Sequence, residues 1–190
     1  INKGAKTVVS NIKYEGFKKD VLFIRSNNVR RLLSKTVSKI YRKKPKNLVA
    51  VTGTNGKSSI ADFYLQILKL NKKKVASIGT LGINSNKNKI RLQNTTLDSL
   101  QLAKYLSKLK DQKIDNVILE ASSHGLSQNR LDGLKFQIGI FTNLSHDHLD
   151  YHKSYKNYLN AKLYLFRKLL KNNSNIITDF DIPEYKKIKI

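Results

Sequence analysis

Apolar runs alternate with amphipathic stretches along most of this 190-residue chain. The runs of strand length after residue 46 are residues 48–51, 75–78, 117–119, 136–141 and 176–177. Stretches with apolar residues at helical spacing lie between them, at residues 60–68, 102–109 and 155–170. Because strands and helices alternate, the pattern predicts an α/β fold with a mainly parallel sheet flanked by helices.

The first part of the chain has a separate pattern. Residues 7–10 and 21–24 have strand length, and residues 28–41 repeat apolar positions at helical spacing. A basic stretch from Arg42 to Lys46, which contains Pro45, then interrupts the pattern. We therefore predict that residues 1–46 are the tail of a smaller α/β unit and that residues 47–190 form a second unit.

The formal net charge of +24 permits two interpretations. It is typical of a nucleic-acid-binding protein or of one that meets an acidic membrane surface. It also arises when many lysines cover solvated faces. The basic residues are spread along the chain, and aromatic residues do not alternate with them as stacking on single strands requires. We favour the second interpretation and expect no nucleic-acid partner.

The composition also bears on location and on metal chemistry. No apolar run approaches the about 20 residues that span a bilayer, so we expect no stable membrane insertion. Cysteine is absent, which excludes disulfides and thiolate metal sites from these residues. We expect a cytoplasmic protein, and a monomer.

A glycine-rich loop follows the first strand of the second unit. Its sequence runs from Gly53 through Thr54, Asn55, Gly56, Lys57 and Ser58 to Ser59. Glycines allow a tight turn whose N–H groups point at phosphate oxygens, and the following helix adds its positive dipole end. In such loops the lysine bridges the terminal phosphates and the hydroxyl after it ligates Mg²⁺. We predict that this loop binds ATP.

Polar residues follow two later strands, and ligands of parallel sheets bind at those strand ends. Glu120 ends the third strand, where a carboxylate can hold Mg²⁺ or can be a solvated residue at the start of a loop. All four histidines lie between His124 and His152, and most of them follow the fourth strand directly. Histidines and aspartates so grouped favour metal ligation or proton transfer over a plain polar loop.

Lys162 occupies an unusual position for a charged residue. It lies on the apolar face of the predicted helix 155–170, four residues before Phe166. A buried ammonium is costly unless it is paired or chemically altered. The side chain either reaches water past an apolar stem or faces a site with a shifted pKa.

Four sequence blocks together resemble the Mur ligases, specifically the MurE type. The blocks are residues 51–58, residues 94–96, residues 120–126 with Gln128 and Arg130, and residues 141–152. The first block is shared with folylpolyglutamate ligases, whereas the third and fourth are more specific to the MurE type. The resemblance covers residues 48–170 and is weaker before them.

The resemblance implies roles for individual residues. The ATP-binding residues would be 53–59 together with Asn143. The residues that contact the UDP-MurNAc-dipeptide would be Asn94, Thr95, Thr96, Ser122, Gln128 and Arg130. The metal-binding residues would be Ser58, Glu120, His148 and Lys162, the last of them as a carbamate (N6-carboxylysine). The catalytic residues would be Lys57, Glu120, His148 and Lys162.

The same resemblance implies an ATP- and Mg²⁺-dependent ligase of peptidoglycan synthesis. It would join a free amino acid, diaminopimelate or lysine, to UDP-MurNAc-L-Ala-D-Glu through an acyl phosphate. No residue here distinguishes the two amino acids, and we expect diaminopimelate. Residues 1–46 would end the UDP-substrate domain and residues 47–190 would form a truncated ATP-binding domain. The amino-acid-binding domain would be absent, so we expect these residues alone to be inactive. The alternatives are a folylpolyglutamate or cyanophycin synthetase relative and a basic nucleic-acid-binding NTPase.

Overall fold

The computed structural model describes residues 4–86, 88–92 and 95–188. A three-stranded sheet comes first, in the order β1 (Thr7–Ser10), β3 (Val21–Arg25) and β2 (Gly16–Lys18). β1 runs parallel to β3 and β2 runs antiparallel to it. Helix α1 (Val29–Ile40) follows and is capped by the Asn28 side chain, which accepts a hydrogen bond from the Arg31 amide.

A seven-stranded sheet forms the larger part of the molecule. Its strands in chain order are β4 (Asn47–Thr52), β5 (Val75–Gly79), β6 (Gly82–Ser85), β7 (Lys89–Ile90), β8 (Asn116–Glu120), β9 (Phe136–Phe141) and β10 (Leu170–Thr178). Their spatial order is β10-β9-β4-β8-β5-β6-β7. The first five in this order are parallel, whereas β6 and β7 add antiparallel strands at one edge. The predicted mainly parallel sheet is confirmed.

Helices cover both faces of this sheet. They are α2 (Lys57–Leu70), α3 (Ser99–Asp111), α4 (Ser123–Ser127), α5 (Leu149–His152), α6 (Tyr155–Tyr164) and α7 (Tyr185–Ile188). Successive residues of β4 point to opposite faces: Leu48 and Ala50 join the larger apolar core, and Val49 and Val51 join a smaller one beside α2. The continuous apolar runs of the sequence therefore mark strands that are buried on both faces.

The predicted helix 155–170 ends differently from the expectation. α6 ends at Tyr164, and a π-helical turn at Leu165–Leu169 continues it. Leu170 then has extended backbone and pairs with Phe136, so β10 begins there. The predicted strand 176–177 lies inside β10, which is longer because its register shifts between Leu170 and Asn175.

Helix α1 joins the first sheet to the second one. The Asp132 carboxylate, on the loop before β9, forms an ion pair with Arg31, with 2.9 Å between Oδ2 and the guanidinium Nε. The approach is close, because a Cβ on Gly133 would lie 2.4 Å from the Ser34 carbonyl oxygen. α1 also packs against α3. The boundary at residue 46 separates the two sheets, and its role as a domain boundary stays a prediction.

Candidate functional site

The loop between β4 and α2 takes its shape from two glycines. Gly53 has φ +145° and Gly56 has φ +82°, both in the region that side chains rarely adopt. A Cβ on Gly53 would lie 1.8 Å from Thr142 Oγ1, so this position also has no space for a side chain. Backbone conformation therefore favours glycine at both positions, and packing requires it at Gly53.

Residues that follow β9 hold the loop in place. The Thr54 amide donates to the Asn143 carbonyl oxygen at 2.9 Å, and the Asn55 amide donates to Asn143 Oδ1 at 3.0 Å. Thr142 Oγ1 donates to the Asn55 carbonyl oxygen at 2.6 Å. Asn143, predicted to bind ATP, supports the loop in this structure and does not line the cavity beside it.

The N-terminus of α2 offers free donors. Gly56 precedes the helix and supplies no side-chain cap, and the first turn contains no acidic residue. The first N–H groups of a helix have no partners within the helix, and the helix dipole places partial positive charge there. This end of a 14-residue helix is therefore suited to an anion such as a phosphate.

A cavity of about 290 Å³ opens beside this helix end. The four residues predicted to be catalytic all line it: Lys57, Glu120, His148 and Lys162. The loop residues Thr54 to Ser59 line it as well, with Thr95 and Ser122 from the predicted substrate-binding set. The structure thus brings together the side chains of Lys57 and Lys162, which are 105 positions apart in the sequence.

Glu120 is fixed at the end of β8. The residue is only 2% exposed, and its carboxylate accepts hydrogen bonds from the Ser58 hydroxyl at 2.9 Å, the Thr80 amide at 2.9 Å and the Thr80 hydroxyl at 3.1 Å. Gly79 makes room for it, because a Cβ at that position would lie 2.1 Å from Glu120 Oε1. The interpretation of Glu120 as a solvated residue is wrong, since the carboxylate is buried in the cavity wall.

The Lys57 amine lies across the loop. It donates to the carbonyl oxygens of Gly53 at 3.0 Å and Thr54 at 2.6 Å. Burial lowers its pKa, and the carboxylates of Glu120 and Asp147 oppose that effect. An anion that entered the cavity would therefore meet a cation that is already partly stripped of water.

Lys162 is buried within the same wall. The residue is 1% exposed, its amine donates to the Gly53 carbonyl oxygen at 2.6 Å, and the nitrogen lies 4.4 Å from the centre of the Tyr158 ring. Burial lowers its pKa to about 7, and the nearby Lys57 ammonium acts in the same direction. The amine does not reach water past its stem, so the structure contradicts that interpretation and places the amine against the site.

The histidines form a cluster at the rim. The rings of His124 and His148 are 4.8 Å apart at an angle of 85°, and those of His124 and His152 are 5.6 Å apart. Burial lowers the pKa of both His124 and His152, which favours neutral rings. His146 packs against Tyr155 and is not among the residues that line the cavity. Within the described residues, no three His, Asp or Glu side chains form a ready metal cage.

The predicted substrate-binding residues form a hydrogen-bonded chain that leads away from the cavity. Thr96 Oγ1 donates to the Glu120 carbonyl oxygen at 2.8 Å, and the Ser122 amide donates to Thr96 Oγ1 at 3.0 Å. Arg130 donates to the Thr96 carbonyl oxygen at 2.5 Å and to Gln128 Oε1 at 2.7 Å. Gln128 and Arg130 line a second, larger cavity and not the first one. Asn94 lies outside the described residues.

Two residues of the cavity carry contacts that the sequence analysis did not assign. The Thr80 amide and hydroxyl each donate a hydrogen bond to the Glu120 carboxylate. Thr80 directly follows β5, and this position at a strand end is the signal by which the sequence could have indicated it. Tyr158 links its hydroxyl to Thr54 Oγ1 at 3.0 Å and places its ring beside the Lys162 amine. Tyr158 lies within the predicted helix 155–170, where nothing in the local sequence marks its hydroxyl as part of a site.

Fold and site together define an α/β protein whose glycine-rich loop leads into a helix N-terminus suited to an anion such as a phosphate. The model of the Mur ligase middle domain matches residues 51–189. The chain belongs to the Mur ligase family, and the predicted resemblance to the MurE type is confirmed. It is 42% identical over 193 residues to the UDP-N-acetylmuramoyl-L-alanyl-D-glutamate--2,6-diaminopimelate ligase of Rickettsia bellii, covering 100% of this chain and 40% of that protein.

Solved structures agree with this assignment. A UDP-N-acetylmuramoyl-L-alanyl-D-glutamate--2,6-diaminopimelate ligase superposes with a TM-score of 0.78 at 32% identity, covering 88% of this chain and 34% of the other. The MurF ligase of Thermotoga maritima in complex with ADP has a TM-score of 0.60 at 20% identity, covering 98% and 39%. The second likeness shows the fold alone. The chain spans about two fifths of the length of the curated relatives that it matches.

No helix in the part of the chain that the structure describes has both the length and the apolar character to cross a bilayer.

Proposed function

We propose that this chain supplies the ATP-binding centre of a ligase that adds meso-diaminopimelate to UDP-N-acetylmuramoyl-L-alanyl-D-glutamate in peptidoglycan synthesis. The observation that carries the proposal is the single cavity shared by Lys57, Glu120, His148 and Lys162. The names of the relatives supply the substrates: the protein that is 42% identical carries a name that states this dipeptide and 2,6-diaminopimelate.

The reaction has two steps. A carboxylate oxygen of the substrate attacks the γ-phosphorus of ATP, and ADP leaves with the electrons of the broken P–O bond. The amine of the incoming amino acid then attacks the acyl carbon, phosphate leaves, the nitrogen loses a proton and an amide forms. Both steps need two anions to be held close together, which is costly without fixed positive groups.

The loop and α2 supply those fixed groups. The free N–H groups at the start of α2 receive the phosphate oxygens, and Lys57 exchanges its loop carbonyls for a β- or γ-phosphate oxygen. The hydrogen bonds from Thr142 and to Asn143 keep the loop in one conformation before the nucleotide arrives. Little free energy is then lost in ordering the loop on binding.

The residues present fit a magnesium ion. Mg²⁺ in nucleotide sites takes one or two carboxylates together with water and phosphate oxygens, so a cage of three acidic groups is not required. The buried Glu120 carboxylate and the Ser58 hydroxyl, 2.9 Å apart, are hard oxygen ligands on the cavity wall, and His148 lies at its rim. The bound ion would neutralise phosphate charge, while these residues orient it.

Lys162 is suited to carbamylation. Its lowered pKa leaves a large share of the amine neutral near pH 7, and the neutral amine is the form whose nitrogen attacks the carbon of CO₂. Loss of one proton then leaves an anionic carbamate on the same wall as Glu120. Full-length protein exposed to carbon-13-labelled bicarbonate should show a carbamate carbon signal that Lys162→Met removes, and an unchanged signal in that variant would contradict the assignment.

The proposed function is tested by Lys57→Ala in the full-length protein. We expect acyl-phosphate formation and substrate-dependent ADP release to fall by about 10²-fold or more, because a charge that stabilises the transferring phosphoryl group is lost. Lys69→Ala is the matched control, since Lys69 lies exposed on the same helix, outside this cavity. Unchanged ADP release in Lys57→Ala would defeat the proposal.

A further inference from the structure

Helix α6 contacts the glycine-rich loop at two consecutive loop residues. The Lys162 amine donates to the Gly53 carbonyl oxygen at 2.6 Å, and the Tyr158 hydroxyl is hydrogen-bonded to Thr54 Oγ1 at 3.0 Å. Tyr158 and Lys162 are four positions apart, so they lie one turn apart on the same face of the helix. In the part of the chain that the structure describes, these two are the hydrogen bonds between α6 and the loop.

The Tyr158 side chain is enclosed by other residues of the site. The residue is 1% exposed and lines the cavity of about 290 Å³ beside α2. The centre of its ring lies 4.4 Å from the Lys162 nitrogen, 5.2 Å from the centre of the His152 ring and 6.3 Å from that of the His148 ring. A buried tyrosine hydroxyl needs a hydrogen-bond partner, and Thr54 Oγ1 is the partner here. The packing of the ring thus determines where the hydroxyl meets the loop.

Thr54 also joins the loop to the segment after β9. Its Oγ1 accepts a hydrogen bond from the Ser145 amide at 3.0 Å, and its own amide donates to the Asn143 carbonyl oxygen at 2.9 Å. The residue is buried. Because the same Oγ1 meets the Tyr158 hydroxyl, one threonine side chain connects the loop, the segment after β9 and α6.

Under the proposed function, the lysine contacts of the loop change during the reaction. Lys57 donates to the carbonyl oxygens of Gly53 and Thr54, and it exchanges them for phosphate oxygens of ATP. Lys162 donates to the Gly53 carbonyl oxygen, and carbamylation turns its amine from a cation into part of an anion. The hydrogen bond between Tyr158 and Thr54 involves neither a phosphate nor a carbamate. It is therefore the contact of α6 with the loop that can persist through both changes.

We propose that Tyr158 is a positioning residue for ATP binding: its hydroxyl holds Thr54, and through Thr54 the glycine-rich loop, in the conformation that receives the phosphates. The inference rests on the proposed function. A loop that is fixed before its ligand arrives loses little conformational freedom on binding, so part of the affinity for the nucleotide depends on the contacts that hold the loop. Tyr158 contacts no reacting atom in this role and acts through Thr54.

The experiment measures the binding of a non-hydrolysable ATP analogue, with Mg²⁺, to the full-length protein by calorimetry. Tyr158→Phe keeps the ring beside Lys162 and removes the hydroxyl alone, so the fold should tolerate it. We expect the Kd of this variant for the analogue to rise about three- to tenfold, within the range that one neutral hydrogen bond supplies. KM for ATP should rise with it, whereas KM for UDP-MurNAc-L-Ala-D-Glu at saturating ATP should stay unchanged.

A matched control lies almost one turn earlier on the same helix. The Tyr155 hydroxyl donates to Glu184 Oε1 at 2.7 Å, and Tyr155 is not among the residues that line the cavity. Tyr155→Phe therefore also removes a tyrosine hydrogen bond from α6, but it should leave the Kd for the analogue unchanged.

A double variant tests whether the hydroxyl acts through Thr54. Thr54→Val removes the partner of the Tyr158 hydroxyl and should itself weaken binding of the analogue. In the Thr54→Val background, Tyr158→Phe should cause no further loss of affinity, because the hydrogen bond between the two side chains is already absent.

The outcomes separate this inference from the proposed function. Wild-type protein that does not bind the analogue would overturn the proposed function and this inference together. Wild-type protein that binds the analogue, with an equal Kd in Tyr158→Phe, would overturn the inference alone. Equal weakening in Tyr155→Phe would also overturn it, because the loss would then come from α6 as a whole. Fully additive losses in Thr54→Val and Tyr158→Phe would overturn it as well, since the hydroxyl would then not act through Thr54.

Discussion

The buried Lys162 amine should make the stability of the protein depend on pH in a direction that the structure fixes. Its pKa is about 7 in the folded protein, against an ordinary value of 10.5. The unfolded chain therefore keeps a proton that the folded chain loses, and stability rises with pH between these two values. The cost of burying the amine is full below about pH 7 and disappears above about pH 10.5.

The magnitude follows from the gap between the two pKa values. At about 1.4 kcal/mol per pH unit, the full cost is roughly 4–5 kcal/mol. Raising the pH from about 6 to about 9 removes roughly 2–3 kcal/mol of that cost. Lys162→Met has a side chain of similar length without the amine, so this pH-dependent contribution should be absent from the variant.

Urea unfolding in CO₂-free buffer measures this contribution. The quantity of interest is the free energy of unfolding of the wild type minus that of Lys162→Met, followed across the pH range, because the titration of groups remote from Lys162 cancels in the difference. We expect the difference to move by roughly 2–3 kcal/mol in favour of the wild type as the pH rises. Lys69→Met, on the exposed side of α2, should show no such trend. A difference between wild type and Lys162→Met that does not change with pH would refute the burial argument.

Other substitutions test the packing of the site and of α1. Gly53→Ala should destabilise the protein by about 2–5 kcal/mol, because φ +145° and the contact at 1.8 Å with Thr142 Oγ1 both oppose a side chain. Adding Thr142→Ala should recover part of that loss in urea unfolding, and a fully additive double variant would contradict the contact. Asp132→Ala should cost about 2–4 kcal/mol, because the 2%-exposed carboxylate accepts both the Tyr164 hydroxyl and Arg31. Arg31→Ala should lower the free energy of unfolding by less than Asp132→Ala does, because the Arg31 side chain is 46% exposed. Equal losses of stability in the two variants would contradict this expectation.

Much of the sheet could be predicted because each central strand is marked by its own residues. β4, β5, β8 and β9 are buried on both faces and therefore read as continuous apolar runs. β6 and β7 were not predicted, since they are short and contain asparagine or lysine, and since β6 depends on antiparallel pairing with β5 and β7 on antiparallel pairing with β6. The start of α3 carried a local signal in Asp98, which the structure shows as its cap.

The site was predictable to the extent that strand ends determine it. Glu120 is the last residue of β8, and the loop from Gly53 follows β4. Because β4 and β8 are adjacent parallel strands, their carboxyl ends lie side by side and bring the two together. The position of Lys162 against the Gly53 carbonyl depends on how α6 packs on the sheet, which no local pattern encodes. Of the larger second cavity, only Gln128 and Arg130 were predicted, from the resemblance, because the other cations that line it come from separate segments and resemble the basic residues that are spread along the chain.

The most direct test is a crystal structure of the full-length protein with a non-hydrolysable ATP analogue and Mn²⁺ in place of Mg²⁺. We expect the terminal phosphates at the N-terminus of α2 in contact with Lys57, and an anomalous peak for the metal next to the Glu120 carboxylate. Phosphates bound elsewhere, or a metal remote from Glu120, would contradict the assignment of this cavity as the ATP centre.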